Sequence, residues 1–356
     1  MRRLFFAAFL SLGGIGAVFA QNDAQTVAMV NLIRQEPITV RQLKAELSPL
    51  EQARGRPYTV AERRAALEEI VNQRLILQAA ERDRIAVSEN EIDAALRDYL
   101  AQQNGRALTD AEYTRAMQQA GANAATIRQQ VSRQLIMQKY LMSKKQAQIS
   151  AVRPPTDEEI ARWYNLNKAK LIRPDMVRLN LISVPYGPDS ASKAKAKEIA
   201  DRLARDISGS PPKFDDAVLR GYIANPNGGA ANAAVSEAGY VATRGFYVSR
   251  TPEVQEAVGE NFLTIAFGLQ QGEVSPLIEN DLAYQFIKVT EFYPQKSLEL
   301  DDIMDPANPV IVRQYIRQGL ITERTQQAVD QALKELVDEL RRGRNVVTLY
   351  EQYLNW

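Results

Sequence analysis

At 356 residues, 45% of them hydrophobic, the chain is long enough to bury more than one core, so two or three domains are expected. Its 44 basic and 43 acidic residues leave a formal net charge of +1, without the basic excess that a nucleic-acid binder carries. There is no cysteine and no histidine, which excludes disulfides, thiolate nucleophiles, a lipid-bearing cysteine, histidine-ligated metals and Ser–His–Asp or HExxH hydrolysis.

Met1-Arg2-Arg3 is a basic start, followed by an apolar and small-residue run from Leu4 to Val18 and the small residues Val18 and Ala20 before polar Gln21. That is the layout of a secretory signal cleaved after Ala20. An uncleaved anchor is the rival, but the run is shorter than the ~20 apolar residues of a spanning helix and is broken by Gly13, Gly14 and Gly16. The mature protein is expected to be exported and soluble.

Val27–Asn31 reads as a short strand, Gln35-Glu36-Pro37 as a turn, and Thr39 as the start of a helix through Leu43 and Leu47. Thr59 and Glu62 form a capping box for a longer helix, in which Leu67, Ile70, Val71, Leu75 and Ala79 make one apolar stripe. Ser88 with Glu91 and Thr109 with Glu112 cap two more helices, Gly121 interrupts, and a long helix is expected over residues 124–148 through Ile127, Val131, Leu135, Ile136 and Leu141. Arg153-Pro154-Pro155-Thr156 is a boundary, after which Thr156 and Glu159 cap a helix bearing Ile160, Trp163 and Tyr164 that Pro174 is expected to end.

Val177–Val184 then reads as a strand, 193–207 as a helix stopped by Pro211-Pro212, and Phe214 as the start of a short helix. Asn225-Pro-Asn-Gly-Gly229 and an alanine-rich loop lead to Gly239-Tyr240-Val241, and Thr251-Pro252 starts a helix. A last strand ends in Ile287-Lys288-Val289. The order β-α-α-α-β, helices over an antiparallel sheet, is α+β. Residues 310–321 and 322–340 read as two helices, the second stopping at Arg341-Arg342-Gly343, and 345–356 as a closing strand.

The wording of three stretches resembles the SurA and PrsA group of extracytoplasmic folding factors. Leu67, Ile70, Leu75 and Gln78–Ala80, followed by Ile85, Val87, Ser88, Glu91, Ile92 and Asp93, resemble the N-terminal chaperone domain of that group. The run from Thr156 to Val184 resembles its junction with a parvulin-type (PpiC) prolyl isomerase domain, and 265–292 resembles the end of that domain. The resemblance implies a signal over 1–20, a chaperone domain over 21–172, a parvulin-like domain over 173–296, and a C-terminal segment over 297–356 that packs back on the chaperone domain.

It also implies a site. The family's two facing histidines fall on Leu181 and Gln285, its Cys or Asp near Ala224 or Asn225, the proline-gripping Phe on Val254, the pocket Leu near Ala238, and the Met near Arg250 or Thr251. Rotation about an Xaa–Pro bond breaks no bond, but its ~20 kcal/mol barrier falls only with an apolar pocket and hydrogen bonds to the twisted amide. Leu181 donates none, so no catalytic residue is expected and isomerase activity is expected to be feeble or absent. The peptide-binding candidates are Leu181, Ala238, Tyr240, Val254, Phe267 and Gln285, with Phe267, Leu269 and Val274 read also as core.

Ser190-Ala-Ser-Lys193 has the SxxK spacing without its partner motifs. Asp215-Asp216 and Asp301-Asp302 read as helix-start and surface residues ahead of cation sites, and Lys193, Lys195 and Lys197 as a solvated face. Met29, Met117, Met137 and Met142 suit adaptable apolar surfaces or plain core. The expected function is a periplasmic chaperone for unfolded or nascent envelope and outer-membrane proteins, with no cofactor, metal or nucleic acid and with a homodimer allowed. The alternatives are an active isomerase with a histidine-free site, and an envelope scaffold with one fixed partner.

Overall fold

In the computed structural model the described residues open with a hairpin: β1 (Thr26–Asn31) pairs antiparallel with β2 (Gln35–Thr39), Ala28 opposite Ile38 and Val30 opposite Glu36. The model describes residues 23–121, 123–207, 210–224 and 239–356; the signal expected over 1–20 lies outside them. Gln35-Glu36-Pro37 is therefore strand, not turn. Pro37 is tolerated because β2 is the outer strand of its sheet, where a missing N–H breaks no ladder. Thr39 then caps α1 (Val40–Arg54) in a box with Gln42.

Each capping box read from the sequence forms with both of its bonds: Thr59 and Glu62 start α2 (Val60–Arg82), Ser88 and Glu91 start α3 (Glu89–Asn104), and Thr109 and Glu112 start α4 (Asp110–Ala120). The long helix α5 spans Asn123–Ser150. Leu43, Leu67, Val71, Leu75 and Tyr140 fill the main core with Val27 and Val30, while Ile92, Leu96, Tyr113 and Val131 form a smaller core among α3, α4 and α5. Each such buried side chain contributes about 1.5–3 kcal/mol.

Thr156 and Glu159 cap α6 (Asp157–Asn167). This helix stops well before Pro174: a short 3-10 turn over Lys168–Lys170 leads into β3 (Ile172–Arg173). The residue before a proline is held extended, so the helix ends upstream of it. The second unit continues through β4 (Met176–Pro185), α7 (Ser190–Ile207), α8 (Pro211–Ala224), β5 (Val241–Ser249), α9 (Pro252–Val258), α10 (Glu260–Gly268), β6 (Ile278–Glu279) and β7 (Ala283–Tyr293). β8 (Lys296–Ser297) pairs with β3, and β9 (Ile303–Asp305) with β10 (Asn308–Ile311).

The four-stranded sheet has the order β5-β4-β7-β6 and is antiparallel throughout. β5 is a strand the sequence reading did not carry beyond Val241. A bulge hides it: the register with β4 shifts between Leu179 and Leu181, and Gly245 takes φ +65 there with its N–H on Asn180 Oδ1 at 3.0 Å. One sheet face buries Ile182, Val184 and Phe286 against Ala196, Ala200 and Phe214 of α7 and α8. The other buries Leu179, Ile287 and Val289 against Phe262, Leu263 and Ala266 of α10.

Val310 and Ile311 belong to β10, and one continuous helix, α11 (Val312–Leu340), replaces the two helices expected. No proline interrupts it, and an interior glycine such as Gly319 costs only about 1 kcal/mol. The chain closes with β11 (Val347–Leu349), far shorter than the strand expected, and a 3-10 turn over Glu351–Leu354. β11 pairs with β1, Ala28 opposite Leu349 and Val30 opposite Val347. Two units result, one up to Pro154 with Gly319–Trp356, the other Pro155–Gln318. The expected border at 172/173 moves back to Pro154-Pro155 because α6 is tied inside the second unit, where the Tyr164 hydroxyl donates to the Leu298 carbonyl at 3.1 Å.

Candidate functional site

On the sheet face toward α10, Leu181 of β4 lies opposite Thr243 on β5 and Ile287 on β7. Gln285 lies opposite Ser183 and Ile278. Directly paired antiparallel residues point the same way, so Leu181, Ser183 and Gln285 share one face, with Leu181 and Gln285 on a diagonal of roughly 7–8 Å. Val254 of α9 and Phe267 of α10 pack, half-buried, on the same apolar cluster as Leu181. The Arg250 guanidinium sits 4.5 Å from the Phe267 ring centre, and Thr251 caps α9 through Val254 N–H.

The face thus gathers Leu181, Val254, Phe267 and Gln285. It does not gather Tyr240, which is buried in the opposite core with its hydroxyl donating to the Ala217 carbonyl at 3.1 Å. A side chain committed there meets no ligand on the other face. Ala238 and Asn225 lie outside the described residues, and Ala224 ends α8. The chemistry available is limited. Leu181 has no polar atom, and the Gln285 carboxamide oxygen already accepts from Asn280 at 3.3 Å. Leu181, Ser183, Thr243 and Gln285 carry no group that moves a proton near neutral pH. The face can grip an apolar side chain; it offers no acid or base.

The first unit holds a different feature. Leu77 at the end of α2, Ile85 and Ala86 in the turn after it, and Ile136 of α5 line a mainly apolar cleft of about 480 Å³, rimmed by Glu81 and Arg84. Arg84 makes the turn in the left-handed region, at φ 58, and the Ile85 amide returns to the Ala80 carbonyl at 2.8 Å. Asp83 beside it is held down to about 2 by hydrogen bonds from Arg82 and Lys144. The sequence reading named Ile85 and Ile136 within patterns and missed the cleft, because only the folded hairpin brings the turn over α5.

Other sequence signals resolve into structure. Ser190 is the first residue of α7, and Lys193 pairs with Glu279 at 2.7 Å, so no nucleophile is formed. Asp215 pairs with buried Lys288, Asp302 with Lys296 and Asp301 with Arg313. Among the described residues no cluster of acidic side chains is placed to hold a metal, and no helix is long and apolar enough to cross a membrane. Met117, Met137 and Met142 pack half-buried on the two helical cores.

Comparison with known proteins bears on both units. Residues 3–141 match the model of the SurA-like N-terminal domain, and residues 155–305 that of the PPIC-type PPIase domain. A protein named chaperone SurA from Alkalilimnicola ehrlichii is 23% identical over 363 aligned residues, covering 98% of this chain and 73% of that protein. A second SurA, from Chromohalobacter salexigens, is 25% identical over 137 residues, covering 38% of this chain and 30% of its own. Among solved structures, one of two SurA-like chaperones of Campylobacter jejuni aligns over 91% of this chain and 99% of its own, at 12% identity and a TM-score of 0.41. PrsA from Bacillus subtilis aligns over 91% and 94%, at 19% identity and a TM-score of 0.28.

Proposed function

We propose that this chain, which matches the SurA-like N-terminal domain and the PPIC-type PPIase domain in turn, holds unfolded polypeptide, in the periplasm, by burying apolar side chains in the cleft of its first unit. The observation that carries the reading is the cleft itself: Leu77, Ile85, Ala86 and Ile136 line about 480 Å³ of mainly apolar space together with Glu81 and Arg84. Such a surface gives broad and weak recognition of extended segments. Its clients are unfolded or nascent envelope and outer-membrane polypeptides. The PPIC-type domain serves as a binding module through Leu181, Val254 and Phe267, with little or no isomerase activity, because Leu181 and Gln285 stand where the family it resembles carries histidines and Leu181 donates no hydrogen bond to a twisted amide.

Two experiments test this. Suppression of aggregation of a chemically unfolded outer-membrane protein is expected from the unmodified chain and is expected to fall several-fold in Ile136→Gln, which places a carboxamide in the cleft without touching the domain of β4–β7. Unchanged suppression would remove the cleft from the mechanism. Exchange spectroscopy of a short Xaa–Pro peptide is expected to show no acceleration at stoichiometric protein. Clear acceleration would replace this reading with an isomerase whose site is free of histidine.

A further inference from the structure

The first unit contains a stretch that recurs 50 positions later: Gln52, Gly55, Arg56, Thr59, Ala61, Glu62 and Ala66 return as Gln102, Gly105, Arg106, Thr109, Ala111, Glu112 and Ala116. The structure recurs with it. Gly55 and Gly105 end α1 and α3 in the left-handed region, at φ 71 and 67. Arg56 and Arg106 each donate to the carbonyl of the next residue, at 3.3 and 3.1 Å. Each then forks onto both oxygens of the capping glutamate that follows, Glu62 or Glu112. Thr59 and Thr109 complete the two boxes. The same fork on the same two partners, twice, marks α1–α2 and α3–α4 as two copies of one helical hairpin.

The copies differ in what fills the space between their helices. In the first, Tyr58 packs on the main core and lies under Arg54, whose guanidinium is 4.4 Å from the ring centre. In the second, Asn104 stands for Arg54 and Leu108 for Tyr58. There the space is an open cleft of about 190 Å³ lined by Leu100, Leu108 and Ala116 together with Asn104, the forked Arg106–Glu112 pair, Arg115 and Gln119, so that an apolar wall meets polar groups. By volume one aromatic ring fits, since a cavity of ~150 Å³ takes up benzene, and the polar groups suit a ring that carries a hydroxyl. Arg115, where the first copy has Ala65, supplies a cation at the same cleft.

We propose that the cleft between α3 and α4 is a side-chain pocket for one tyrosine-type ring of an extended polypeptide, seated as Tyr58 is seated in the first hairpin and covered by Arg115 as Arg54 covers Tyr58. The first copy shows the occupant, built into the chain; the second presents the vacancy to a client. This pocket rests on the client-holding reading and adds to it a second contact point with a stated chemistry.

The test uses the full chain and two fluorescent Gly/Ser peptides, one carrying a single tyrosine and its twin alanine at that place. Anisotropy is expected to show the tyrosine peptide binding roughly tenfold tighter, the scale of one buried, cation-covered ring. The double variant Asn104→Arg, Leu108→Tyr rebuilds the filling of the first copy in the second, and is expected to lose that preference while melting no lower than the parent. Equal binding of the two peptides, or an undiminished preference in the filled variant, overturns the proposal. Should the variant not fold, a peptide with benzophenone in place of the tyrosine, photo-crosslinked to the unmodified chain, decides: adducts within residues 100–119 support the pocket and adducts confined elsewhere overturn it. Aggregation suppression by the unmodified chain is measured alongside. Its absence sinks the client-holding reading, whereas its presence with no tyrosine preference sinks the pocket alone.

Discussion

Gln78 ties the opening hairpin of the first unit to α2. Its side chain is fully buried, its carboxamide oxygen accepts from the Leu32 and Ile33 amides at 3.1 Å each, and its nitrogen donates to Glu36 at 3.0 Å. The hairpin turn is thereby fastened to α2. Replacing Gln78 by alanine removes three part-buried hydrogen bonds, each worth about 0.5–1.5 kcal/mol. Q78A is therefore expected to lower the unfolding midpoint, with hydrogen exchange at Leu32 and Ile33 quickening first. Exchange there unchanged would show that the latch is not made. In the sequence Gln78 is legible only as one letter of a family pattern, because its three partners lie more than forty positions away. The candidate site divides in the same manner. That neither Leu181 nor Gln285 carries an imidazole is plain from the letters; that Tyr240 faces the other core is decided by strand pairing.

At the scale of the helix, the boxes at Thr59, Ser88, Thr109 and Thr156 were legible because each depends on residues only three apart, and all four form. They also set an acid response. Glu91 is held at about 2 by Lys139 and the Ser88 amide, and Glu112 at about 2 by Arg106 and the Thr109 amide. Asp93 is lowered by Arg128 and the Tyr113 hydroxyl. Each folded value lies below the unfolded one of about 4. The contribution to stability is thus complete above that pH and is lost as pH falls toward 2. Carbon-detected titration is expected to show Glu112 titrating near 2 in the native chain and closer to its ordinary value in Arg106→Ala; a Glu112 midpoint unmoved by that change would mean the fork does not form in solution. Where elements were misread, the cause was non-local. β5 is concealed by its bulge at Gly245, and α11 runs unbroken through Thr322.

At the scale of the molecule, the return of the chain to its own start closes the first unit. Arg63, buried in α2, donates to the Leu354 carbonyl at 3.1 Å and to that of Trp356, and its guanidinium lies 4.4 Å from the Trp356 ring centre. The two tryptophans divide between the units, Trp163 in α6 and Trp356 in this clamp. Fluorescence of Trp163→Phe therefore follows the first unit and that of Trp356→Phe the second. Adding Arg63→Met is expected to lower the denaturation midpoint reported by Trp356 and to leave that reported by Trp163 in place. Equal shifts in both would show that the units unfold as one.

The sequence by itself determined the helix starts, the amphipathic stripes, the kinship with folding factors and the chemistry that is impossible here, since each follows from residue identity or from spacings of a few positions. The recurring Gly-Arg-x-x-Thr-x-Ala-Glu is also a property of the sequence, but its meaning lies in the identical forks that Arg56 and Arg106 make. Only the tertiary structure decided that β11 completes the sheet begun by β1, that Leu181 and Gln285 share a face from which Tyr240 is turned away, and that clefts open beside α2 and between α3 and α4. Those depend on strand register and on which helices meet, and both are fixed by the burial of side chains far apart in the chain.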